Sequence, residues 1–207
     1  MPMRRVQSAS GFTLIEMIVT LTIFGILVAL TVPAMQTWMR NAQIRSVAEA
    51  LQNGVRLAQA ESLRRSRQVV FALTNNSTPE TGTFTATDNG SYWAIMTVPA
   101  MTDGSEANPA GRFVEAGILS TTVQVTGPGA ICFNSVGRLV ANNAPGVAGA
   151  NCTAPTVGAP PKFNYSVTAP GGGTPYVLQV QVGLGGQVHI CDPHQTLSNQ
   201  NPYGCAP

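Results

Sequence analysis

The hydrophobic pattern changes period twice along the chain. After a short polar start, MPMRRVQSAS, an apolar run extends from Phe12 to Val32 and is broken by a single charge, Glu16. As a helix that run spans roughly 30 Å, the thickness of a bilayer's hydrocarbon core. Past Pro33 the pattern turns amphipathic. Met35, Trp38, Met39 and Ala42 recur at i, i+3, i+4 and i+7, and Ile44, Val47, Ala48, Leu51, Val55 and Ala58 carry the stripe onward. This predicts one helix from Phe12 to about Arg65, roughly 80 Å long and bent at Pro33, where a backbone donor is lost. Glu61 and Arg65 are expected to form an i,i+4 pair on its exposed face.

From Gln68 the period moves toward two. The expected strands are Val69–Leu73, Trp93–Val98, Gly111–Glu115, Thr121–Thr126, Ala130–Phe133, Gly137–Val140, Phe163–Thr168, Tyr176–Val182 and Gln187–Cys191. Asn134-Ser135-Val136-Gly137 and Gly183-Leu184-Gly185-Gly186 read as hairpin connections. The Gly/Pro/Ala-rich stretches 99–110, 141–161 and 169–175 read as surface loops. The fold class is therefore α+β, with a long N-terminal helix packed on a β-rich head. The divisions are a leader at 1–11, a helix at 12–67 (12–32 transmembrane, 33–67 amphipathic) and a head at 68–207.

Composition narrows the setting. Charged residues are only 10% of the chain, against about 25% in ordinary soluble domains, which argues against a typical cytosolic enzyme. The net charge of +2 indicates no particular partner. Cys132, Cys152, Cys191 and Cys205 all lie in the C-terminal third. An even set behind a membrane segment points to two disulfides in an oxidising compartment, with three connectivities open. Local pairing, Cys132 with Cys152 and Cys191 with Cys205, is the expectation because each bond closes a short loop, worth about 3 kcal/mol for ~15 residues.

The apolar run suits neither a cleaved secretory signal, being too long and holding a carboxylate, nor a plain anchor, which leaves Glu16 unexplained. Gly11-Phe12-Thr13-Leu14-Ile15-Glu16 resembles the processing signature of type IV prepilins and type II secretion pseudopilins. That resemblance implies cleavage between Gly11 and Phe12 on the cytoplasmic side, methylation of Phe12, and pairing of Glu16 with a neighbouring subunit's N-terminal ammonium to fix axial register. Ile131–Arg138 and Gly185–Pro193 resemble the paired hairpin elements of the GspH/FimT (FimU-like) minor pilins, which adds the type IV pilin fold as the expected architecture. The likeness implies a minor pilin of the type IV pilus, in assembly initiation or the tip complex. An H-type pseudopilin of a type II secretion system is the alternative, and a DNA-binding minor pilin for natural transformation is the second alternative.

The implied partners are other major and minor pilins, the prepilin peptidase/methylase, the inner-membrane assembly platform and, before assembly, the lipid bilayer. The implied location is a single pass in the inner membrane with a periplasmic head, then the pilus on the cell surface. Some members of this family bind DNA through a basic Gly-Arg-x-Arg-type motif in the last hairpin. Here the stretch is Gly186-Gln187-Val188-His189, and only Arg138 and Lys162 are basic after Arg112. Since phosphate neutralisation dominates DNA affinity, DNA is not an expected partner.

His189, Cys191, Asp192, His194 and Cys205 suggest a metal site, but Cys191-Asp192-Pro193-His194 has the spacing of only half a zinc site and its thiol is better spent in a disulfide. Gly171-Gly172-Gly173 lacks the lysine and following helix of a phosphate loop. Arg64, Arg65 and Arg67 complement the negative end of the helix dipole. No catalytic arrangement, metal or cofactor is expected. The chain is instead the substrate of the peptidase and methylase.

Overall fold

The computed structural model describes residues 11–81, 83–99, 111–155, 162–170 and 176–206. They fall into two compact units, Met1–Arg40 and Asn41–Pro207, and the helix α1 (Leu14–Arg65) begins in the first and ends in the second. The basic leader with Arg4 and Arg5, most of the 99–110 stretch, and Gly171-Gly172-Gly173 lie outside the described residues.

In the first unit α1 starts two residues after the apolar run begins, because Thr13 caps it. The Glu16 amide donates to Thr13 Oγ1 at 3.4 Å and the Met17 amide to the Thr13 carbonyl at 3.3 Å. Thr13 is thus the N-cap, with Glu16 in the first turn where the helix dipole favours a carboxylate. Every side chain from Gly11 to Arg40 is exposed. The hydroxyls of Thr20, Thr22, Thr31 and Thr37 donate back to main-chain carbonyls three or four residues earlier. The last of these bonds reaches the Pro33 carbonyl, and α1 continues through that proline.

In the second unit α1 buries Ile44, Val47, Ala48, Leu51, Gly54, Val55, Ala58 and Ser62. The stripe therefore begins to pack at Ile44. Met35, Trp38 and Met39, expected to share in it, are 61%, 70% and 48% exposed. They belong to the first unit, whose described residues include no sheet to cover them.

The helix lies on a four-stranded antiparallel sheet built from β1 (Val69–Thr74), β2 (Tyr92–Thr97), β3 (Phe113–Ile118) and β5 (Ala130–Phe133), in the order β3-β2-β1-β5. A second sheet holds β4 (Gln124–Thr126), β6 (Lys162–Thr168), β7 (Val177–Gly183), β8 (Val188–Thr196) and β9 (Gly204–Cys205), in the order β4-β6-β7-β8-β9. The main core joins helix and both sheets through residues such as Leu51, Val55, Phe71, Ile95, Tyr165 and Val180. Full burial of each such side chain contributes about 1.5–3 kcal/mol. Gly54 marks the closest approach: a Cβ there would stand 3.1 Å from the Phe71 and Trp93 rings, which stack at 5.9 Å between centroids.

β1 is buried along its whole length, which explains why Val-Val-Phe-Ala-Leu-Thr reads as a continuous apolar run rather than an alternation. Its second face meets a smaller core in which Val70, Ala94, Met96 and Cys132 are covered by Phe84, Ala86, Val147, Ala150 and Cys152. The 141–161 stretch, expected as a surface loop, therefore includes a segment that caps this core. The Ala86 amide donates to the Ala148 carbonyl at 2.7 Å, and Asn142 pairs with Cys152.

Four of the expected strands differ by more than one residue at an end. The one expected at Thr121–Thr126 is only Gln124–Thr126, because the Thr122 and Val123 amides donate to Ser120 Oγ at 2.9 and 3.1 Å. β3 spans Phe113–Ile118 rather than Gly111–Glu115, and Gly117 lets the Trp93 ring lie against the backbone where a Cβ would be 2.7 Å away. Gly137–Val140 forms no named strand; Leu139 bridges Phe133, and its amide donates instead to the Leu184 carbonyl at 3.0 Å. β8 passes through Pro193 because its pairing with β7 ends at Cys191, after which it pairs in parallel with β9. Proline is tolerated there since no ladder bond to β7 is lost.

Candidate functional site

Beside the apolar stripe, the helix carries a polar one. Arg45, Glu49, Gln52, Arg56 and Gln59 follow i, i+4, i+7, i+11 and i+14, a single helix face. Gln52 Nε2 and Arg56 Nη2 both donate to the Val188 carbonyl at 3.2 Å, at the start of β8. Gln59 Nε2 donates to the Gly137 carbonyl at 2.9 Å and reaches that of Gly185 at 3.4 Å. The two hairpin turns thus converge on one helix residue. Gly186, at φ 85°, makes this possible: a Cβ there would lie 2.4 Å from the Gly137 carbonyl oxygen and closer still to the Gln59 amide.

These turns are internally braced. The Asn134 carboxamide oxygen accepts from the Val136 amide at 3.1 Å and the Arg138 amide at 2.9 Å. The Gly183 amide donates to the Gln187 carbonyl at 2.8 Å. The stretch Gly186-Gln187-Val188-His189 is thereby engaged with the helix at Gly186 and Val188, and only Gln187 and His189 are exposed. The sequence reading followed the apolar stripe and missed Gln52, Arg56 and Gln59. Their i, i+4, i+7 spacing beside that stripe was the available signal.

Glu61 is nearly covered, with 12% of its side chain exposed, rather than standing on an open face. Arg64 donates to both carboxylate oxygens, at 2.9 and 2.6 Å, and Arg65 Nε to one at 2.7 Å. The hydrogen bonds from Arg64 and then Arg65 hold this carboxyl well below the usual range, at about 2. Two of the three arginines at the helix end are thus bound to a carboxylate one turn back.

The four cysteines form two bonds. Cys132 joins Cys152 across 20 positions, with Cα atoms 5.6 Å apart, in the smaller core. Cys191 joins Cys205 across 14 positions, Cα atoms 4.9 Å apart, and fastens β9 to β8. Lys162 Nζ also donates to the Ala206 carbonyl, so the tail is held at two points. Both thiols of the candidate metal cluster are spent in the second disulfide. Asp192 accepts from the His194 amide at 2.9 Å and from Gln195 Nε2 at 3.1 Å. Among the described residues no three His, Cys, Asp or Glu side chains gather to hold an ion.

Gly11, Phe12 and Glu16 lie together at the start of the first unit. Phe12 is 80% exposed, as are most of the apolar side chains that follow. Among the described residues nothing comes within 4 Å of a Cβ placed on Gly11, so the fold itself does not require a glycine there. An open groove of about 710 Å³ lies lower on the head, between Arg45 and Glu49 of α1 and the β7–β8 face carrying Leu178, Ile190 and Asp192, with Tyr203 at its rim.

Residues 7–32 match the family described as the prokaryotic N-terminal methylation motif, and residues 47–186 match the type II transport protein GspH family. The type IV major fimbrial protein FimA of Dichelobacter nodosus, strain VCS1703A, is 33% identical over 97 residues, 47% of this chain and 56% of that protein. A second FimA of Dichelobacter nodosus aligns identically. The chain thus spans about half the length of the curated relatives it matches. Two crystal structures of the type IV minor pilin FimU of Pseudomonas aeruginosa align with 78% and 82% of this chain and 99% of their own. Their TM-scores are 0.44 and 0.46, at 15% and 14% identity.

Proposed function

This chain belongs to the GspH family of type IV pilin-like structural proteins, and from that premise we propose that it is a minor pilin of a type IV pilus, acting in assembly initiation or at the tip. In this reading the prepilin peptidase cuts after Gly11 and Phe12 becomes the methylated N-terminus. The helix first holds the chain in the inner membrane with its head in the periplasm, and later packs with other pilins in a filament.

The observation that carries the reading is the exposed first unit. From Phe12 to Met39 the only charge is Glu16, the side chains are exposed, and the helix is long and apolar enough to cross a membrane. A surface so apolar is stable only in lipid or against similar helices. The internally bonded threonine hydroxyls suit both settings, since neither supplies water. The glycine that the fold does not need is supported as a cleavage site by the methylation motif across it.

The name of the matching family favours a second reading, a pseudopilin of a type II secretion system, in which the same processing and the same helix serve a short periplasmic filament. Intact mass and N-terminal sequencing of membrane-extracted protein test what the two share. The expected species begins at methylated Phe12 and gains four hydrogens on reduction. A chain still starting at Met1, in cells with an active prepilin peptidase, would remove the basis for both readings. Recovery of the mature chain in sheared surface pili, in cells with and without secretion genes, then separates them.

A further inference from the structure

Glu16 and Arg40 bracket the longest uncharged stretch of α1. The 23 residues between them carry no charged side chain, the helix runs unbroken through them, and every one of them is exposed. From Glu16 to Arg40 the axis covers about 36 Å, or about 34 Å along the bilayer normal at the ~20° tilt usual for spans. A bilayer has a hydrocarbon core of about 30 Å within about 40–45 Å including its headgroup layers. Both charges therefore reach headgroups at once, with only uncharged side chains in the hydrocarbon.

The same helix centred on Phe12–Val32 fits less well. Glu16 then lies about 6 Å inside the hydrocarbon, where a carboxylate is costly. Trp38 stands about 9 Å beyond the opposite edge, past a headgroup layer of about 5–7 Å and so in water. Met35, Trp38 and Met39, at 61%, 70% and 48% exposed, would stay uncovered, since neither core of the head includes them. Moving the span along the helix by a little over one turn covers all three.

The chemistry at this end agrees. Tryptophan favours the bilayer interface, with its rings among the acyl chains and its indole N–H toward ester carbonyls and phosphates. Arg40, two residues on, lays its stem along the chains and its guanidinium on phosphate. The Thr37 hydroxyl donates to the Pro33 carbonyl at 3.2 Å, so it needs no water there. We propose that Trp38 and Arg40 seat in the headgroup layer of the periplasmic leaflet and, with Glu16 at the other face, set the membrane register of the precursor. The partner is a phospholipid surface, and residues Met17 to Thr37, rather than Phe12 to Val32, occupy the hydrocarbon. This rests on the membrane-anchored reading above.

The second of the chain's two tryptophans makes the test direct. Trp93 is buried in the core of the head against Phe71, so quenchers carried by lipid reach Trp38 alone. The full-length chain is reconstituted in phosphatidylethanolamine–phosphatidylglycerol vesicles whose acyl chains carry bromine near the glycerol or near the chain ends. Flotation reads insertion, and circular dichroism reads folding. Shallow bromine is expected to quench the emission at least about twice as strongly as deep bromine, and Trp38→Phe to abolish the difference. Arg40→Leu should let the helix slide inward and bring the two quenchers closer to parity. Equal emission in brominated and plain vesicles, with the chain floating, would place Trp38 in water and overturn the seat. Stronger quenching by deep bromine would place it in hydrocarbon and overturn it too. A ratio indifferent to Arg40→Leu removes Arg40 from the seat, whereas a chain that fails to float defeats the membrane reading itself.

Discussion

Gln59 donates its side-chain amide to the carbonyl oxygen of Gly137, 78 positions further along the chain, at 2.9 Å. Through that bond and its reach to Gly185, one helix residue fixes where two hairpin turns sit, and those turns begin the segments that carry both disulfide strands. The bond is partly buried, and losing a partner there leaves a carbonyl without its donor.

Gln59→Ala should therefore lower head stability by about 1–2 kcal/mol. Gly186→Ala should cost more, because alanine meets both a left-handed φ and a clash with Gln59 and Gly137. Denaturant midpoints of the two variants test this order. If Gly186→Ala matched wild type, the turns would not be clamped as described.

Much of this architecture is legible in the sequence, because β1, β2, β5, β6 and β7 are apolar or alternating runs and α1 keeps one stripe. The departures share a cause. β9 is two residues long and exists because Cys205 is tied to Cys191, so no local pattern announces it. The segment around Val147 and Ala150 looks like a surface loop, since its burial depends on β1 and β2 presenting a second apolar face. The polar clamp was hidden because glutamine and arginine at helical spacing read as solvated positions until a carbonyl is placed opposite them. Glu61 was legible as an ion-pair partner but not as a covered one.

The two disulfides should part under mild reduction. Cys132 and Cys152 are wholly buried, whereas Cys205 is partly open, so a thiolate reaches the second bond more easily. Partial reduction followed by alkylation and mass mapping should show Cys191 and Cys205 labelled first. Replacing both residues of either pair with serine should cost about 3 kcal/mol or more, with the larger loss for Cys132 and Cys152, where two hydroxyls would enter an apolar core. Earlier labelling of Cys132 would contradict the burial order.

Acid should weaken the helix end in a defined window. The Glu61 carboxyl is held at about 2 by the hydrogen bonds from Arg64 and Arg65, against 4.5 for an ordinary glutamate in water. A depressed folded value means the native state resists protonation. The stabilisation is therefore complete above about 4.5 and is lost as pH falls from there toward 2. Arg64 is well exposed, so solvent screening keeps the effect to about 1 kcal/mol or less. Glu61→Gln should flatten the wild-type stability slope in that window and leave neutral-pH stability slightly reduced. An unchanged slope would place the acid sensitivity elsewhere.

Glu16 sits in a different environment, with Leu14, Ile15, Met17 and Ile18 exposed around it at 78%, 68%, 52% and 50%. When those side chains are covered by other helices the carboxylate goes with them, and a buried charge that loses its partner costs about 3–5 kcal/mol. From Phe12 to Met39 the chain carries no cationic side chain, so under the processing proposed above the partner at that depth would be the ammonium of Phe12. Thr13 already caps the helix through its hydroxyl, which leaves the Glu16 carboxylate free for that pairing. Glu16→Gln and Glu16→Ala should both be inserted and cleaved normally, yet enter filaments at a tenth of the wild-type level or less, read as the ratio of sheared filament to membrane pool. Glutamine keeps the size and hydrogen-bonding capacity while removing the charge. Incorporation of Glu16→Gln at the wild-type level would mean that shape at this position, and not charge pairing, sets the register.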